Sequence, residues 1–161
     1  MITIRKAQES DFDSIWEIFH QIVWQGDSYA YDPETTKEQA RSIWMSEDVA
    51  TYVACINDIV VGTYILKANQ PGLGSHVANA GYMVKSEYAG RGIGRAMCEH
   101  SLEEARKAGF LAMQFNMVVS ANEPAVALWQ KMGFSIVGVV PKAFRHKRLG
   151  LVDVYVMHRF L

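Results

Sequence analysis

Residues Val84–Met97 read VKSEYAGRGIGRAM and carry the clearest local signal in the chain. An apolar run ends at Val84, glycines alternate with Arg91 and Ile93, and a helical pattern begins. Glycine lets the backbone adopt positive φ and approach a ligand closely, and the first free N–H groups of the helix point at the same place. The segment therefore predicts a strand-to-helix turn that cradles an anion such as a pyrophosphate, to which Arg91 and Arg95 can add charge-assisted contacts.

The spacing of the glycines argues against two other phosphate-binding turns. Gly90, Gly92 and Gly94 do not follow the G-x-G-x-x-G pattern of a dinucleotide-binding fold, and the turn comes late, after a hairpin. No Gly-Lys-Ser/Thr sequence follows, as a P-loop requires. On this segment alone, a glycine-tolerant turn that binds nothing is the plainer alternative.

Outward from this turn, the periodicity of the apolar residues predicts an α/β protein with seven strands and four helices. Hairpins combined with crossover helices imply one mixed sheet covered by helices, and the absence of a linker predicts one domain over residues 1–161. The predicted strands are 2–6, 50–56, 59–66, 76–84, 112–118, 135–140 and 151–160. The predicted helix starts are Ser10 or Asp11, Thr35 or Thr36, Gly92 and Asn122.

The composition narrows the classes of protein. The chain has 161 residues, of which 50% are hydrophobic and 20% charged, and this balance excludes intrinsic disorder. A net charge of −1 leaves no overall field to attract nucleic acid or an anionic membrane. The first residues lack the apolar segment of a signal peptide, and the longest uncharged stretch, 68–84, is too polar to span a membrane. The chain has only two cysteines, as is usual for proteins of the reducing cytoplasm, and we expect a cytoplasmic protein. Cys55 and Cys98 lack metal-ligand spacing, so we expect no metal site.

Two motifs resemble those of the GCN5-related N-acetyltransferase (GNAT) superfamily. Its central motif, Arg/Gln-x-x-Gly-x-Gly/Ala after a strand ending in valine, reads AGRGIG over residues 89–94, with Ala89 in place of the Arg or Gln. A second motif, Asn-x-x-Ala-x-x-Leu-Tyr-x-x-x-Gly-Phe, reads NEPAVALWQKMGF over residues 122–134. The resemblance covers essentially the whole chain. It implies a mixed, mostly antiparallel central sheet flanked by about four helices, and acetyl-CoA as the donor of an acetyl group to an amine.

The same resemblance assigns residues to the cofactor. The end of the fourth strand would offer backbone N–H groups to the thioester carbonyl, and the glycine-rich turn would hold the diphosphate. Asn122 would contact the pantetheine arm in addition to capping its helix. Trp129 stands where many relatives carry a tyrosine that protonates the departing thiolate, a role that an indole cannot fill; packing alone is its plainer role. The expected cofactor-binding residues are Met83, Val84, Arg91, Gly92, Ile93, Gly94, Arg95, Asn122 and Trp129.

Three short peptides indicate an acceptor. Residues 26–30, 75–81 and 115–119 resemble the fungal N-acetyltransferases that act on azetidine-2-carboxylate and other proline analogues, in which the asparagines matching Asn79 and Asn116 belong to the acceptor site. We expect these two neutral amides to act as the catalytic and carboxylate-binding residues, because no Lys or Arg lies within the predicted inward strands. Each asparagine could instead satisfy a backbone group in the core. The expected substrate-binding residues are Tyr29, Tyr31, Asn79 and Asn116.

The chemistry of the transfer leaves several alternatives open. Residues 76–84 contain no carboxylate, so we expect the amine to react as its neutral form or through a water held by the two asparagines. His76 is a ligand, a base or, most plainly, an ordinary strand residue. The basic run 145–148 is a solvated loop or a contact for the 3′-phosphate of CoA.

Two other functions remain open on the sequence: a protein N-terminal or lysine acetyltransferase, and an acyl-CoA-binding module that has lost catalysis. The expected partner is a small-molecule amine, with no nucleic acid and no membrane. Members of the superfamily are often dimers, so the resemblance also implies that a homodimer can form.

Overall fold

A computed structural model describes all residues, 1–161, and contains seven strands and four α-helices in the predicted order. Short 3₁₀ turns cover Glu9–Asp11, Gly72–Gly74 and Ser86–Tyr88. The strands are β1 (Ile2–Lys6), β2 (Ala50–Ile56), β3 (Ile59–Ala68), β4 (Val77–Val84), β5 (Ala112–Val119), β6 (Ser135–His146) and β7 (Gly150–Phe160). The helices are α1 (Phe12–Gln25), α2 (Lys37–Trp44), α3 (Ile93–Lys107) and α4 (Glu123–Lys131).

The strands form one mixed sheet in the order β1-β2-β3-β4-β5-β7-β6. Five of the neighbouring pairs are antiparallel, and only β4 and β5 run parallel, joined by the crossover helix α3. The two residues between β2 and β3 form a tight hairpin turn, with φ of +49° at Asn57 and +64° at Asp58, as a turn of this kind requires. The expectation of a mixed, mostly antiparallel sheet flanked by four helices is therefore confirmed.

The sheet separates two apolar layers. On one side α3 and α4 pack on the sheet around Met97, Leu102 and Phe115. On the other side α1 and α2 bury Phe19 and Trp44. Both cysteines are buried free thiols, as expected for packing residues. No helix is long and apolar enough to cross a bilayer.

Two strands extend by two or more residues beyond their predicted ends. β3 continues to Ala68, which brings Lys67 into the sheet opposite Asn79 of β4. β6 continues to His146 because its register shifts between Val140 and Phe144, where Lys142 has a φ of +50°. A bulge of this kind lets a strand resume its pairing after an irregular residue. Part of the basic run 145–148 therefore lies in a strand, not in a loop.

The feature that positions the site is the separation of β4 from β5. The two strands pair only at their first residues, Val77 with Ala112 and Ala78 with Met113. On β5 the register then shifts between Phe115 and Val118, which leaves two bulged residues outside the ladder. A gap therefore opens toward the carboxyl ends of both strands.

Candidate active site

A cleft of about 690 Å³ fills the gap between β4 and β5. Its walls come from β4, β5, the segment after α1, the first residues of α4 and the hairpin between β6 and β7. Aromatic and aliphatic side chains make up most of this lining, with a few polar groups among them. A deep, mostly apolar cleft with a few convergent polar groups is the usual form of a small-molecule site.

The free edge of β4 determines which backbone groups face the cleft. The Lys85 N–H donates to the carbonyl of Val61 on β3, whereas the N–H and carbonyl of Tyr82 both bond to a side chain on the cleft side. Because backbone groups alternate along a strand, the N–H groups of Tyr82 and Val84 face the gap and that of Met83 faces β3. The expected pair of donors is therefore corrected from Met83 and Val84 to Tyr82 and Val84.

The side chain that bonds to Tyr82 is Tyr29. Its hydroxyl accepts from the Tyr82 N–H at 2.7 Å and donates to the Tyr82 carbonyl at 2.6 Å. Its ring stacks on Tyr31, with centroids 5.9 Å apart, and meets Trp44 edge-on. Burial raises the pKa of the Tyr29 hydroxyl well above its usual range, so the group stays protonated and donates. Tyr29 and Tyr31 both line the cleft, and Tyr29 also completes the hydrogen bonding of β4 where β5 has departed.

The glycine-rich turn offers unpaired donors at the end of β4. The six consecutive N–H groups from Gly90 to Arg95 have no protein acceptor. Gly90 and Gly92 have φ of +77° and +79°, and added Cβ atoms there would meet only open space. The backbone is therefore exposed to a ligand, as an anion cradle requires.

The side chains of this turn are less available than its backbone. Ile93 is buried, so it can offer a ligand only its N–H group. The Arg91 guanidinium lies over the ring of Tyr88, 4.8 Å from its centroid. Arg95 bonds to Glu99 at 2.9 Å on the exposed face of α3. The two arginines remain close to the cradle, each with a partner of its own.

Asn79 and Asn116 line the same cleft from the two separated strands. The Asn79 side-chain amide donates to the carbonyl of Gln114 at 2.9 Å and so bridges the strands just beyond their last pair. Asn116 lies in the bulge of β5, where its side chain donates to Asn69 and accepts from Gln114. Each amide thus has a structural partner and keeps a second N–H for a ligand.

Asn122 lies at the N-cap of α4, but its side chain makes no capping hydrogen bond. Asn122 was expected to cap the helix, and two features explain why it does not. The N2 residue is Pro124, which has no N–H to cap, and Asn122 has a ψ of 68°, outside the extended region that N-cap residues usually adopt. The half-buried Asn122 side chain lines the cleft, so its amide is available to a ligand.

Trp129 packs into the aromatic core beside the cleft. Its ring centroid is 5.0 Å from those of Tyr82 and Phe115. The residue therefore packs as its apolar spacing predicts and also forms part of the cleft wall.

Four further polar residues of the cleft were not among the expected site residues. Lys67, Asp27, Arg148 and His146 all line it. No Lys or Arg was expected within the inward strands, but β3 extends to Lys67, and the β6–β7 hairpin adds His146 and Arg148 to the cleft lining. Continuing the predicted strand by one residue past Leu66 would have placed Lys67 in the sheet.

The basic run has a structural role that sequence reasoning missed. The Lys147 N–H donates to the carbonyl of Gly26 at 2.9 Å, and Arg148 lies 3.7 Å from Asp27. Buried His146 accepts from the N–H groups of Arg148 and Leu149 through Nδ1. The run therefore ties the β6–β7 hairpin to the end of α1. His76 is exposed, lies outside the cleft lining and contributes its carbonyl to the sheet, in agreement with its plainest interpretation.

A strand that parts from its parallel neighbour, followed by a turn of unpaired N–H groups, provides a groove with an anion cradle at one end, which suits a coenzyme A thioester and hence an acyltransferase. Comparison with known proteins agrees. Residues 13–134 match the Acetyltransferase (GNAT) family, and the chain belongs to that family. It is an N-acetyltransferase that uses acetyl-CoA, as the two motifs implied.

Several known proteins are similar over nearly the full chain. A GCN5-related N-acetyltransferase structure from Kribbella flavida superimposes with a TM-score of 0.96 and 46% identity, covering 99% of this chain and 98% of that one. The L-amino acid N-acetyltransferase AaaT of Escherichia coli is 30% identical over 98% of this chain and 97% of its own. The N-acetyltransferase aca1 of Schizosaccharomyces pombe is 26% identical over 94% and 80%.

Proposed function

We propose that this enzyme acetylates the amine of a small amino or imino acid. The observation that carries the proposal is the composition of the cleft beside the free edge of β4. Asn79 and Asn116 face it from two strands, and the stacked rings of Tyr29 and Tyr31 wall it. Side-chain amides can donate to a carboxylate while the rings limit the size of the acceptor. The similarity to an L-amino acid N-acetyltransferase supports the same class of acceptor.

The residues of the chain fit a coenzyme A thioester. The six unpaired N–H groups of residues 90–95 suit the diphosphate, and the helix dipole of α3 adds to their attraction. The gap-facing backbone of Val84 and the free amide of Asn122 suit the pantetheine arm. When bound, acetyl-CoA supplies an acetyl group activated as a thioester. The Tyr82 N–H faces the gap, and an acetyl carbonyl that replaced the Tyr29 hydroxyl there would be polarised by it.

The amine must reach this carbonyl without its proton. The new bond joins the amine nitrogen to the acetyl carbon, the bond to sulfur breaks with its electron pair on sulfur, and one amine proton passes to solvent. No carboxylate lies on β4, and the His146 Nδ1 already accepts two N–H groups. We therefore propose that water held by Asn79 and Asn116 takes the proton. Asp27 is the only carboxylate among the residues that line the cleft.

The leaving thiolate has no dedicated acid in this arrangement. Trp129 can donate a hydrogen bond but cannot protonate sulfur at neutral pH. Burial raises the pKa of Tyr29, which makes it a poor proton donor as well. We propose that CoA leaves as a thiolate and takes its proton from solvent, so that the alkaline side of the pH profile reports the amine of the substrate.

A panel of acceptors tests this function. Thiol release from acetyl-CoA would be followed with small amino and imino acids, the matching carboxamides, polyamines, aminoglycosides and peptides. We expect turnover of the amino acids, with the Asn116→Ala variant raising their KM roughly two- to tenfold and leaving the KM of acetyl-CoA unchanged. Preferred turnover of polyamines, aminoglycosides or peptides would refute the proposed acceptor. Thiol release with none of these amines would favour a silent acyl-CoA-binding module.

A further inference from the structure

The cleft contains a cation that has no partner. Apart from tyrosines, four ionisable residues line it, and two of them, Arg148 and Asp27, lie within ion-pair distance of each other at 3.7 Å. The third, His146, directs Nδ1 to two backbone N–H groups. Lys67 takes part in none of the ion pairs of the protein and in no side-chain hydrogen bond. One unbalanced positive charge therefore faces the cleft.

The register of the sheet puts this charge beside an expected acceptor residue. Lys67 of β3 is the direct partner of Asn79 on β4. Directly opposite residues have side chains on the same face, with Cβ atoms about 4.5–5.5 Å apart. The Lys67 ammonium and the free N–H of Asn79 can therefore reach the same oxygen-bearing group.

The separation along β4 also suits a small acceptor. Asn79 precedes Tyr82 by three residues, which is about 10 Å along a strand. A lysine side chain extends over much of that length, and a small α-amino acid bridges the remainder. The carboxylate then lies at Lys67 and Asn79 while the amine lies beside the backbone of Tyr82.

We propose that Lys67 binds the carboxylate of the acceptor and determines the preference of the enzyme for anionic amines. This inference rests on the proposed function and extends it, because the neutral amides alone would discriminate weakly between an acid and its amide. A charge-assisted hydrogen bond is roughly twice as strong as a neutral one. Lys67 is exposed as well as part of the cleft lining, so its contribution weakens as salt screens it.

The test compares an amino acid with its carboxamide in four proteins: wild type, Lys67→Met, Lys67→Arg and Lys6→Met. Lys6 is the matched control, because it is an exposed lysine without an ion pair at the far edge of the sheet. We expect Lys67→Met to raise the KM of the acid by about 10- to 100-fold, with kcat, the KM of the carboxamide and the KM of acetyl-CoA nearly unchanged. Lys67→Arg retains most of the preference, and Lys6→Met behaves as wild type.

Two further readouts test the charge of Lys67 independently of the size of the change in KM. In wild type the KM of the acid rises with salt, and in Lys67→Met it does not. Calorimetry with the N-acetylated amino acid, in the presence of CoA, finds the same loss of affinity in Lys67→Met.

The possible failures are distinguishable. If wild type acetylates no carboxylate-bearing amine, the proposed function fails and the role of Lys67 fails with it. If wild type prefers the acid and Lys67→Met keeps that preference, only the assignment of Lys67 is overturned. A parallel rise in the KM of acid and carboxamide would also overturn it, because it would indicate a general disturbance of the cleft.

Discussion

Individual side chains in this enzyme replace contacts that the separated strands can no longer make. Tyr29 satisfies the backbone of Tyr82 where β5 is absent, and Asn79 bridges to Gln114 where the ladder ends. Buried backbone groups without partners are costly, so these side chains stabilise an open strand edge. The same groups are the ones that we propose to contact the thioester and the acceptor, which would couple ligand binding to the loop after α1.

Tyr29→Phe tests this coupling. The variant loses two hydrogen bonds, so we expect the free energy of unfolding to fall by about 1–2 kcal/mol in thermal or denaturant unfolding. It also releases the Tyr82 N–H, so acetyl-CoA binds about two- to tenfold more tightly in calorimetry. CoA, which has no acetyl carbonyl, binds unchanged and is the control. Weaker binding of acetyl-CoA by the variant would contradict this account of Tyr29.

Asn122→Ala tests the role of a side chain that does not cap its helix. A capping asparagine costs about 1 kcal/mol to remove, but this one makes no such bond, so we expect a loss in the free energy of unfolding below about 0.5 kcal/mol. The KM of acetyl-CoA rises about two- to tenfold if the free amide meets the pantetheine arm. A clear loss of stability with an unchanged KM would show that Asn122 stabilises α4 and does not contact the pantetheine arm.

At the scale of the elements, the α3 N-terminus and α4 form the two sides of the expected cofactor groove. A Cβ at Gly94 would lie 3.6 Å from Leu128 of α4 and 4.0 Å from Val84 of β4. These are ordinary contacts, so the helices have room for one carbon there and little more. Glycine at this position keeps the groove between α3, α4 and β4 open.

Gly94→Val narrows that groove. We expect the affinity for CoA, measured by calorimetry, to fall at least about tenfold, because two further methyl groups occupy space beside the unpaired N–H groups. The melting temperature changes by only a few degrees. Gly138→Val on β6 is the matched control, since a Cβ there meets nothing within 4 Å. Unchanged CoA affinity in the Gly94 variant would place the diphosphate elsewhere.

β1 and α1 are joined by a buried carboxylate. Asp11 is 7% exposed and accepts from the Arg5 guanidinium at 2.7 and 2.9 Å and from the Gln8 N–H at 2.7 Å. The hydrogen bond from Arg5 is the main reason that the pKa of Asp11 lies below its usual value. A carboxylate with a lowered pKa stabilises the folded state above its unfolded pKa, and the contribution is lost as pH falls through the folded pKa.

Asp11→Asn should therefore destabilise the protein at neutral pH. We expect a loss of about 1 kcal/mol, since Arg5 is half exposed and its contribution is screened. The difference from wild type shrinks below about pH 4, where Asp11 is protonated in the unfolded chain. Denaturant unfolding across pH measures it, with Asp13→Asn as an exposed control that changes little. A difference that persists undiminished to low pH would contradict the ionic role.

Over the whole molecule, the sequence predicted what depends on local pattern. The element order and the glycine-rich turn follow from apolar periodicity and glycine spacing, and the structure agrees with both. Contacts between distant segments were not predicted: Tyr29 bonds to a residue 53 positions away, and Lys147 bonds to Gly26. Lys67 was missed because the predicted β3 ended at Leu66, one residue before the lysine that pairs with Asn79.

The outer edge of the sheet, at β6, carries exposed apolar side chains. Val137, Val139 and Val140 of β6 are exposed, and Leu151 and Phe160 lie exposed on neighbouring β7. An exposed apolar edge strand favours association with another surface. A second copy of the chain is the partner we expect there, and the active-site cleft lies on the other side of β5.

The central claim is that the cleft between β4 and β5 acetylates a small amino acid that it recognises by its carboxylate. The most direct measurement is the wild-type kcat/KM, by thiol release from acetyl-CoA, for one proline-like amino acid and its carboxamide at equal concentrations of neutral amine. We predict that the acid is preferred by about tenfold or more, as a charge-assisted contact would give. Equal or better turnover of the carboxamide would contradict carboxylate recognition and, with it, the proposed substrate class.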